Sequence, residues 1–193
     1  MSKTATNVLG KAQASGSLEV VRQGALIVGA SLLVALCAQV AIPLPGTPVP
    51  LTLQNLAVLL VGLTLGSRRG FVALALYLVE GASGMPVFSP HSPGGILHLF
   101  GPTGGYLMAY PFVAGLAGLL FESARPTFMR AAMSGFLAEI LLFASGIGWL
   151  AILNHSVKVA IFYGLYWFVF AEVIKIMFAA AIATRVNRAR VKA

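Results

Sequence analysis

The sequence predicts an all-α, polytopic membrane protein with six transmembrane helices and both chain ends in the cytoplasm. Its composition, its apolar segments and the distribution of its basic residues predict this fold. The 193 residues are 59% hydrophobic and 9% charged, with a mean hydropathy of +0.91. Soluble domains usually carry about 25% charged side chains. Water could not accommodate so much apolar surface on one small domain, so we expect the bilayer to be its solvent.

Six apolar segments are the candidate spans, because a membrane-crossing helix needs roughly 20 mostly apolar residues. They cover about 21–42, 51–66, 71–83, 104–121 and 129–153, and a last one that begins between 159 and 168 and ends near 184. The predicted organisation is therefore a single membrane domain, with a cytoplasmic segment 1–20, a six-helix bundle 21–184 and a basic cytoplasmic tail 185–193.

All but two of the 13 basic residues fall on one side of this arrangement. They are Lys3, Lys11, Arg22, Arg68, Arg69, Arg125, Arg130, Arg185, Arg188, Arg190 and Lys192. Cytoplasmic loops carry an excess of Lys and Arg, so this side is predicted to face the cytoplasm. The net charge of +8 is then a signal of topology and of contact with anionic lipid, and not of nucleic-acid binding.

A proline-rich segment joins the first two predicted helices. Residues 43–50 contain four prolines, which exclude a regular helix. Irregular backbone at membrane depth persists only inside the protein or along a cavity. Thr52 and Gln54 follow, and their hydroxyl and amide are candidate ligand-binding groups. A tight extracellular turn with local hydrogen bonds is the alternative.

A second outer segment, residues 80–106, is rich in glycine and contains Glu80, Thr103 and Tyr106. Glycine permits close approach of the backbone to a ligand, and the two hydroxyls offer hydrogen bonds. A flexible loop with an aromatic residue at the membrane interface is the alternative.

Two ionisable residues, Glu172 and Lys175, stand three apart inside the last apolar run, so they share one helix face. An unpaired ion there costs about 2.5–3.5 kcal/mol, and such residues usually face a cavity. The alternative is a structural ion pair. Glu139, midway along the fifth helix, is predicted to be protonated, to pair with Lys175 or to line the site.

No signature of catalysis is found in the sequence. His91, His98 and His155 lack metal-binding spacing, and no Walker sequence or nucleophile elbow is present. Cys37 is the only cysteine, so a disulfide within the chain is excluded. We therefore expect no enzyme, no metal site and no cofactor, and any ATP would be hydrolysed by partners.

Four motifs resemble the BioY family, the biotin-binding S components of energy-coupling factor (ECF) transporters. They are IPLPGTPVPLTLQ at 42–54, LGSRRG at 65–70, GMPVF at 84–88 and GPTGGYL at 101–107. The resemblance covers roughly residues 31–180. It implies a six-helix fold, biotin as the transported ligand, and a multi-pass protein of the bacterial inner membrane.

The resemblance also implies partners and site residues. S components dock on a transmembrane coupling protein that carries two ATPases, and the family is thought to use small residues of helix 1 for this contact. Ser31-x-x-x-Ala35 is similar to that pattern, and Ala25-x-x-x-Gly29 is a second small pair. Glu172-x-x-Lys175 resembles an Asp-x-x-Lys of the family's pocket. The predicted ligand-binding residues are Thr52, Gln54, Glu80, Thr103, Tyr106, Glu172 and Lys175.

Three other functions stay open at this point. The chain could be an S component for another vitamin or for a metal. It could be an intramembrane enzyme that uses Glu139 and a histidine, or a structural membrane subunit that binds no small molecule.

Overall fold

The computed structural model describes residues 3–90 and 94–192, with the side chains of 18–90 and 94–189. His91 lies outside the described residues, as do the side chains of Lys3, Lys11, Arg190 and Lys192. The chain is mostly helical, as predicted. Its elements are α1 (Lys3–Gln39), β1 (Ala41–Ile42), β2 (Leu51–Thr52), α2 (Gln54–Leu65), α3 (Ser67–Ala82), α4 (Ile96–Leu99), α5 (Gly104–Glu122), α6 (Phe128–Asn154), α7 (Val157–Ile161), a π-helical segment (Phe162–Tyr166) and α8 (Val169–Lys192).

Each predicted span coincides with a helix or a helix pair, although the lengths differ. Leu18–Gln39, Gly104–Glu122 and Phe128–Asn154 are each long and apolar enough to cross a membrane. Val157–Tyr166 and Val169–Ala189 form a pair bent by 45° that passes the same test together. Because α2 has 12 residues and α3 has 16, length identifies up to four spans among the described residues. The count of six stays a prediction.

The predicted terminal segments are continuous with the bundle helices. α1 already begins at Lys3, so residues 3–20 do not form a separate segment, and α8 continues through the basic tail to Lys192. No proline interrupts either stretch, and a helix extends where nothing breaks its hydrogen-bond ladder. The cytoplasmic location of both ends remains a prediction.

The proline-rich segment forms a turn between two very short strands, where the sequence had predicted helix ends. Ala41 pairs with Thr52 and Ile42 with Leu51. The Thr47 hydroxyl donates to the carbonyl oxygen of Tyr163 at 2.7 Å and accepts from the backbone N–H of Val49 at 3.1 Å. The turn is thereby hydrogen-bonded to the π-helical segment that lies between α7 and α8.

Glycines allow α5 to pack directly on the corner between α2 and α3. That corner is Gly66, whose φ of 84° suits glycine. A Cβ added at Gly118 would lie 2.4 Å from the backbone nitrogen of Ser67, and one at Gly62 would lie 2.4 Å from the carbonyl oxygen of Ala114. These close approaches bring together the three helices that support one side of the bundle.

Many large hydrophobic side chains are exposed on the surface, which fits a protein surrounded by lipid. Tyr77, Leu59 and Leu74 are fully buried, whereas Leu36, Met129 and Phe170 are more than two-thirds exposed, Phe170 at 80%.

α1 is joined to α3 by a polar contact, and this contact corrects two predictions. The hydroxyl of Ser31 donates to the carboxylate of Glu80. Ser31 is 0% exposed and Ala35 is 8% exposed, so both lie in the chain's own core. The predicted docking pair Ser31 and Ala35 is therefore not available to a partner, because its small side chains let α1 pack within this chain instead.

A substitution tests the close packing at the corner. Gly118→Ala should lower the stability by about 1–3 kcal/mol, the usual cost of overpacking, because its methyl group would meet backbone atoms that cannot move aside. Thermal unfolding of the purified protein in detergent measures this.

Gly148→Ala is the matched control, because a Cβ at Gly148 meets nothing within 4 Å. Alanine is favoured over glycine in a helix, so this variant should be as stable as the parent chain or more so. Equal stability of the two variants would contradict the packing described.

Candidate functional site

A cavity opens between the helices near the proline-rich turn. The space not occupied by protein atoms is about 560 Å³, a figure that includes open solvent. Its polar lining residues are Thr52, Gln54, Asn55, Ser89, His98, Thr103, Tyr106, Tyr110, Glu172 and Lys175. Its apolar lining residues are Val49, Pro50, Leu107, Leu142, Phe143 and Phe168.

The structure brings six of the predicted binding residues to this one cavity: Thr52, Gln54, Thr103, Tyr106, Glu172 and Lys175. That they bind a ligand is still a prediction. Glu80 is the exception and does not line the cavity. It lies on α3, and its carboxylate accepts a hydrogen bond from Ser31 of α1, which assigns it to helix packing.

The charged pair of α8 lies at the cavity and is almost completely buried. The ammonium of Lys175 donates to Oε1 of Glu172 at 2.6 Å, and the two side chains are 9% and 8% exposed. The pair is not closed on itself, because Oε2 of Glu172 also accepts from the amide nitrogen of Asn55 at 2.6 Å. The pair is therefore part of a larger network.

Asn55 connects three helices in this network. Its amide nitrogen also donates to Oε1 of Glu139 at 2.5 Å, so α2 is hydrogen-bonded to both α6 and α8. Glu139 is 3% exposed and does not line the cavity. This hydrogen bond to Asn55 was not among the alternatives that the sequence left open for Glu139.

Tyr106 forms one wall and is positioned from two sides. Its hydroxyl donates to the carbonyl oxygen of Gly164 at 2.8 Å, within the π-helical segment. Its ring lies so close to α6 that a Cβ on Gly146 would come within 2.2 Å of it. The widened turn of a π-helix changes which carbonyl groups are bonded within the helix. Here the carbonyl oxygen of Gly164 accepts a hydrogen bond from the Tyr106 side chain.

Gln54 is fixed through a chain of hydrogen bonds. Its amide nitrogen donates to the Tyr77 hydroxyl at 2.7 Å, and that hydroxyl donates to the carbonyl oxygen of Val87 at 3.0 Å. The start of α2 and the loop after α3 are thus connected through α3.

Three buried polar atoms of the cavity lining have no hydrogen-bond partner among the described residues: Oδ1 of Asn55, Oγ of Ser89 and Oγ1 of Thr103. Leaving such a group unsatisfied costs about 1–3 kcal/mol, and native proteins rarely tolerate several together. Their convergence on one cavity, beside a buried ion pair, indicates a site for a polar ligand.

Four polar lining residues were missed by the sequence analysis: Asn55, Ser89, His98 and Tyr110. Two of them had a usable signal. Asn55 is a second amide directly after Gln54 in an apolar run, and Tyr110 lies one helical turn after Tyr106. Ser89 and His98 stand in the loop between α3 and α5, where sequence gives no indication of which side chains turn inward.

The fold matches a solved structure, the "Crystal structure at 2.1 A of the S-component for biotin from an ECF-type ABC transporter". The TM-score is 0.80 at 22% sequence identity, and the match covers 88% of this chain and 93% of that one. This likeness establishes the fold, which is that of an S component.

Sequence comparison finds curated relatives of similar length. The chain is 38% identical over 160 residues to the biotin transporter BioY of Thermotoga maritima, covering 83% of this chain and 92% of the relative. It is 37% identical over 140 residues to the probable biotin transporter BioY of Pyrococcus horikoshii, covering 72% and 82%. With the BioY relative of Rhizobium etli the identity is 34% over 167 residues, covering 81% and 88%.

The model of the BioY family matches residues 4–192. The relatives are transporters, and the structure contains several long apolar helices, so the protein is a multi-pass membrane protein. Because the family model spans almost the whole sequence, the chain belongs to the BioY family.

Proposed function

We propose that this protein captures biotin at the outer face of the bacterial inner membrane and delivers it to the cytoplasm as the S component of an ECF-type ABC transporter. One observation carries the proposal: in a family whose relatives are biotin transporters, unpartnered buried polar atoms and an ion pair converge on one cavity.

The chemistry of biotin suits this lining. Its ureido head has two N–H donors and a carbonyl oxygen, and its acyl chain ends in a carboxylate. Asn55 and Glu172 offer acceptors, Lys175 offers a donor, and the hydroxyls of Ser89 and Thr103 can do either. A ligand that leaves any of these groups unpaired is penalised, which gives selectivity.

The apolar part of the ligand also finds a matching surface. Val49 and Pro50 of the proline-rich turn, together with Phe143 and Phe168, supply apolar walls for the sulfur-bearing ring and the acyl chain. Sites of this kind combine mostly apolar walls with a few fixed polar groups.

The cavity is proposed to open to the outside. α2 begins at the cavity with Gln54 and ends beside the basic Arg68 and Arg69. α5 likewise begins near the cavity at Gly104 and ends close to Arg125. The basic loops thus lie at the opposite ends of the same helices, which by the positive-inside rule is the cytoplasmic side. We propose six spans and two cytoplasmic ends, in one membrane domain covering residues 1–193.

Partner subunits are proposed to supply the energy. They are a transmembrane coupling protein and two ATPases, as the family's S-component role implies. A second small pair on α1, Ala25 and Gly29, is exposed, unlike Ser31 and Ala35. Small residues let two helices approach closely, so this face of α1 replaces the earlier docking prediction.

One of the earlier alternatives has a separate test, and another is not favoured by the structure and the relatives. Competition of labelled biotin by other vitamins separates a biotin site from a site for another solute. An intramembrane enzyme using Glu139 is not favoured, because the curated relatives are transporters and Glu139 does not line the cavity.

The first prediction concerns the ion pair. Lys175→Ala should weaken biotin binding by on the order of 2–5 kcal/mol, at least about thirtyfold, because Glu172 would be left buried without its cation. Titration calorimetry of the purified protein measures the affinity, and gel filtration checks its fold.

Lys158→Ala is the control, since Lys158 is exposed and is not one of the residues that line the cavity. It should bind biotin like the parent chain. An unchanged affinity of Lys175→Ala would remove Lys175 from the site.

The second prediction concerns topology. In a Cys37→Ala background, which has no other cysteine, Asn154→Cys should react with a membrane-impermeant maleimide added to spheroplasts. Ser123→Cys should react only in inverted vesicles. Both positions are exposed. Labelling of both from the same side would contradict six spans.

The third prediction concerns docking. Gly29→Leu should abolish co-purification with the coupling protein and its ATPases, because the larger side chain would keep a partner helix from approaching closely. It should not change biotin affinity, because a Cβ at Gly29 meets nothing of this chain within 4 Å. Gly148→Leu, the same change on an equally open position of α6, should co-purify normally. Normal assembly of Gly29→Leu would reject this face.

A further inference from the structure

The orientation of the Asn55 amide is set by its neighbours. A primary amide has two N–H donors on one side and a carbonyl oxygen on the other. The nitrogen lies 2.5 Å from a carboxylate oxygen of Glu139 and 2.6 Å from one of Glu172. Glu172 is ion-paired with Lys175, and an ionised carboxylate only accepts hydrogen bonds, so the opposite orientation would set Oδ1 of Asn55 against a carboxylate oxygen of Glu172. The nitrogen is therefore committed to the carboxylates.

The oxygen of the same amide is left without a partner. Oδ1 of Asn55 is buried and makes no hydrogen bond within the part of the chain that the structure describes, and Asn55 is 4% exposed and lines the cavity. Because both donors are used, the amide can offer the cavity only an acceptor. The cavity group that would pair with it is an N–H or O–H donor of a ligand.

Glu139 contributes to the orientation of the Asn55 amide from outside the cavity. It borders an apolar groove between α6 and α8, together with Phe136, Ile140 and Val173, and does not line the ligand cavity. Glu172 is already bonded to Lys175, whereas the hydrogen bond from Asn55 is the one that the structure shows for Glu139. Glu139 is thus a buried acidic residue outside the cavity, and it is hydrogen-bonded to the amide of a residue that lines the cavity, Asn55.

We propose that Glu139 is a positioning residue that fixes the amide of Asn55 so that Oδ1 accepts a hydrogen bond from a ureido N–H of the ligand, making Asn55 a determinant of specificity. This rests on the proposed function, since the ligand with ureido N–H groups is biotin. The sequence analysis did not name Asn55 as a binding residue, and it gave lining the site as only one of three alternatives for Glu139. A ligand that presents an acceptor at this point would meet the amide oxygen with like charge and be rejected.

The test compares biotin with its two mono-N-methylated analogues, each of which lacks one ureido N–H. Affinities are measured by calorimetry for the parent chain, Glu139→Gln and Glu139→Met. Gln keeps an acceptor for the Asn55 amide, whereas Met has a similar length and no oxygen. Ile140→Met is the matched control, because Ile140 is a 53% exposed residue of α6 next to Glu139.

We expect one of the two analogues to bind the parent chain at least about tenfold more weakly than biotin, equivalent to about 1.4 kcal/mol. Glu139→Met should lose most of that preference by weakening biotin more than the analogue. Glu139→Gln and Ile140→Met should keep the preference within about threefold. A merely structural role of Glu139 would weaken biotin and both analogues equally, and that result would overturn the inference.

A second variant covers the case in which Glu139→Met does not fold. Asn55→Met/Glu139→Met removes both partners of the hydrogen bond between these residues and keeps the Glu172 and Lys175 pair, but it also takes the Asn55 donor from Oε2 of Glu172, so gel filtration checks its fold. Loss of the preference supports the inference, and retention overturns it. A parent chain that binds no biotin refutes the proposed function itself, whereas biotin binding without any effect of methylation refutes only the role of Asn55 and Glu139.

Discussion

The buried network of Asn55, Glu139, Glu172 and Lys175 is the constraint on which the site depends. Two carboxyl groups and one ammonium stand among apolar helices, where an uncompensated ion is expensive. Hydrogen bonds of 2.5 to 2.6 Å connect the four side chains across α2, α6 and α8. These hydrogen bonds favour one arrangement of the three helices, because another arrangement would leave a charge unpaired. The same network leaves one amide oxygen free at the cavity.

Other features of the fold maintain the space beside this network. The proline-rich turn is tied by Thr47 to Tyr163, next to the bend of 45° between α7 and α8. The π-helical segment gives the carbonyl oxygen of Gly164 to Tyr106. Gly146 lets the ring of Tyr106 lie directly against α6. Irregular backbone thus appears where it lines the cavity, which is where a membrane protein can accommodate it.

The sequence predicted much of the site, because polar residues are conspicuous in apolar runs. Lys175 was identified in this way, whereas Thr52 and Thr103 were identified from a proline-rich and a glycine-rich segment, and all three line the cavity. The failures have physical causes. Asn55 acquires its role through a hydrogen bond to Glu139, 84 positions away, which no local pattern reveals. A small-residue spacing cannot tell which side of α1 faces its own core, so Ser31 and Ala35 were misassigned to docking. Helix lengths likewise escaped the hydropathy pattern, as the 12-residue α2 shows.

An experimental structure of the biotin-bound protein tests the central claim most directly. The account requires biotin in the cavity between α2, α5, α6 and α8, with polar ligand atoms within about 3.2 Å of Oδ1 of Asn55 and of the hydroxyls of Ser89 and Thr103. Biotin bound elsewhere, or bound here with these three oxygens still unpaired, would contradict it.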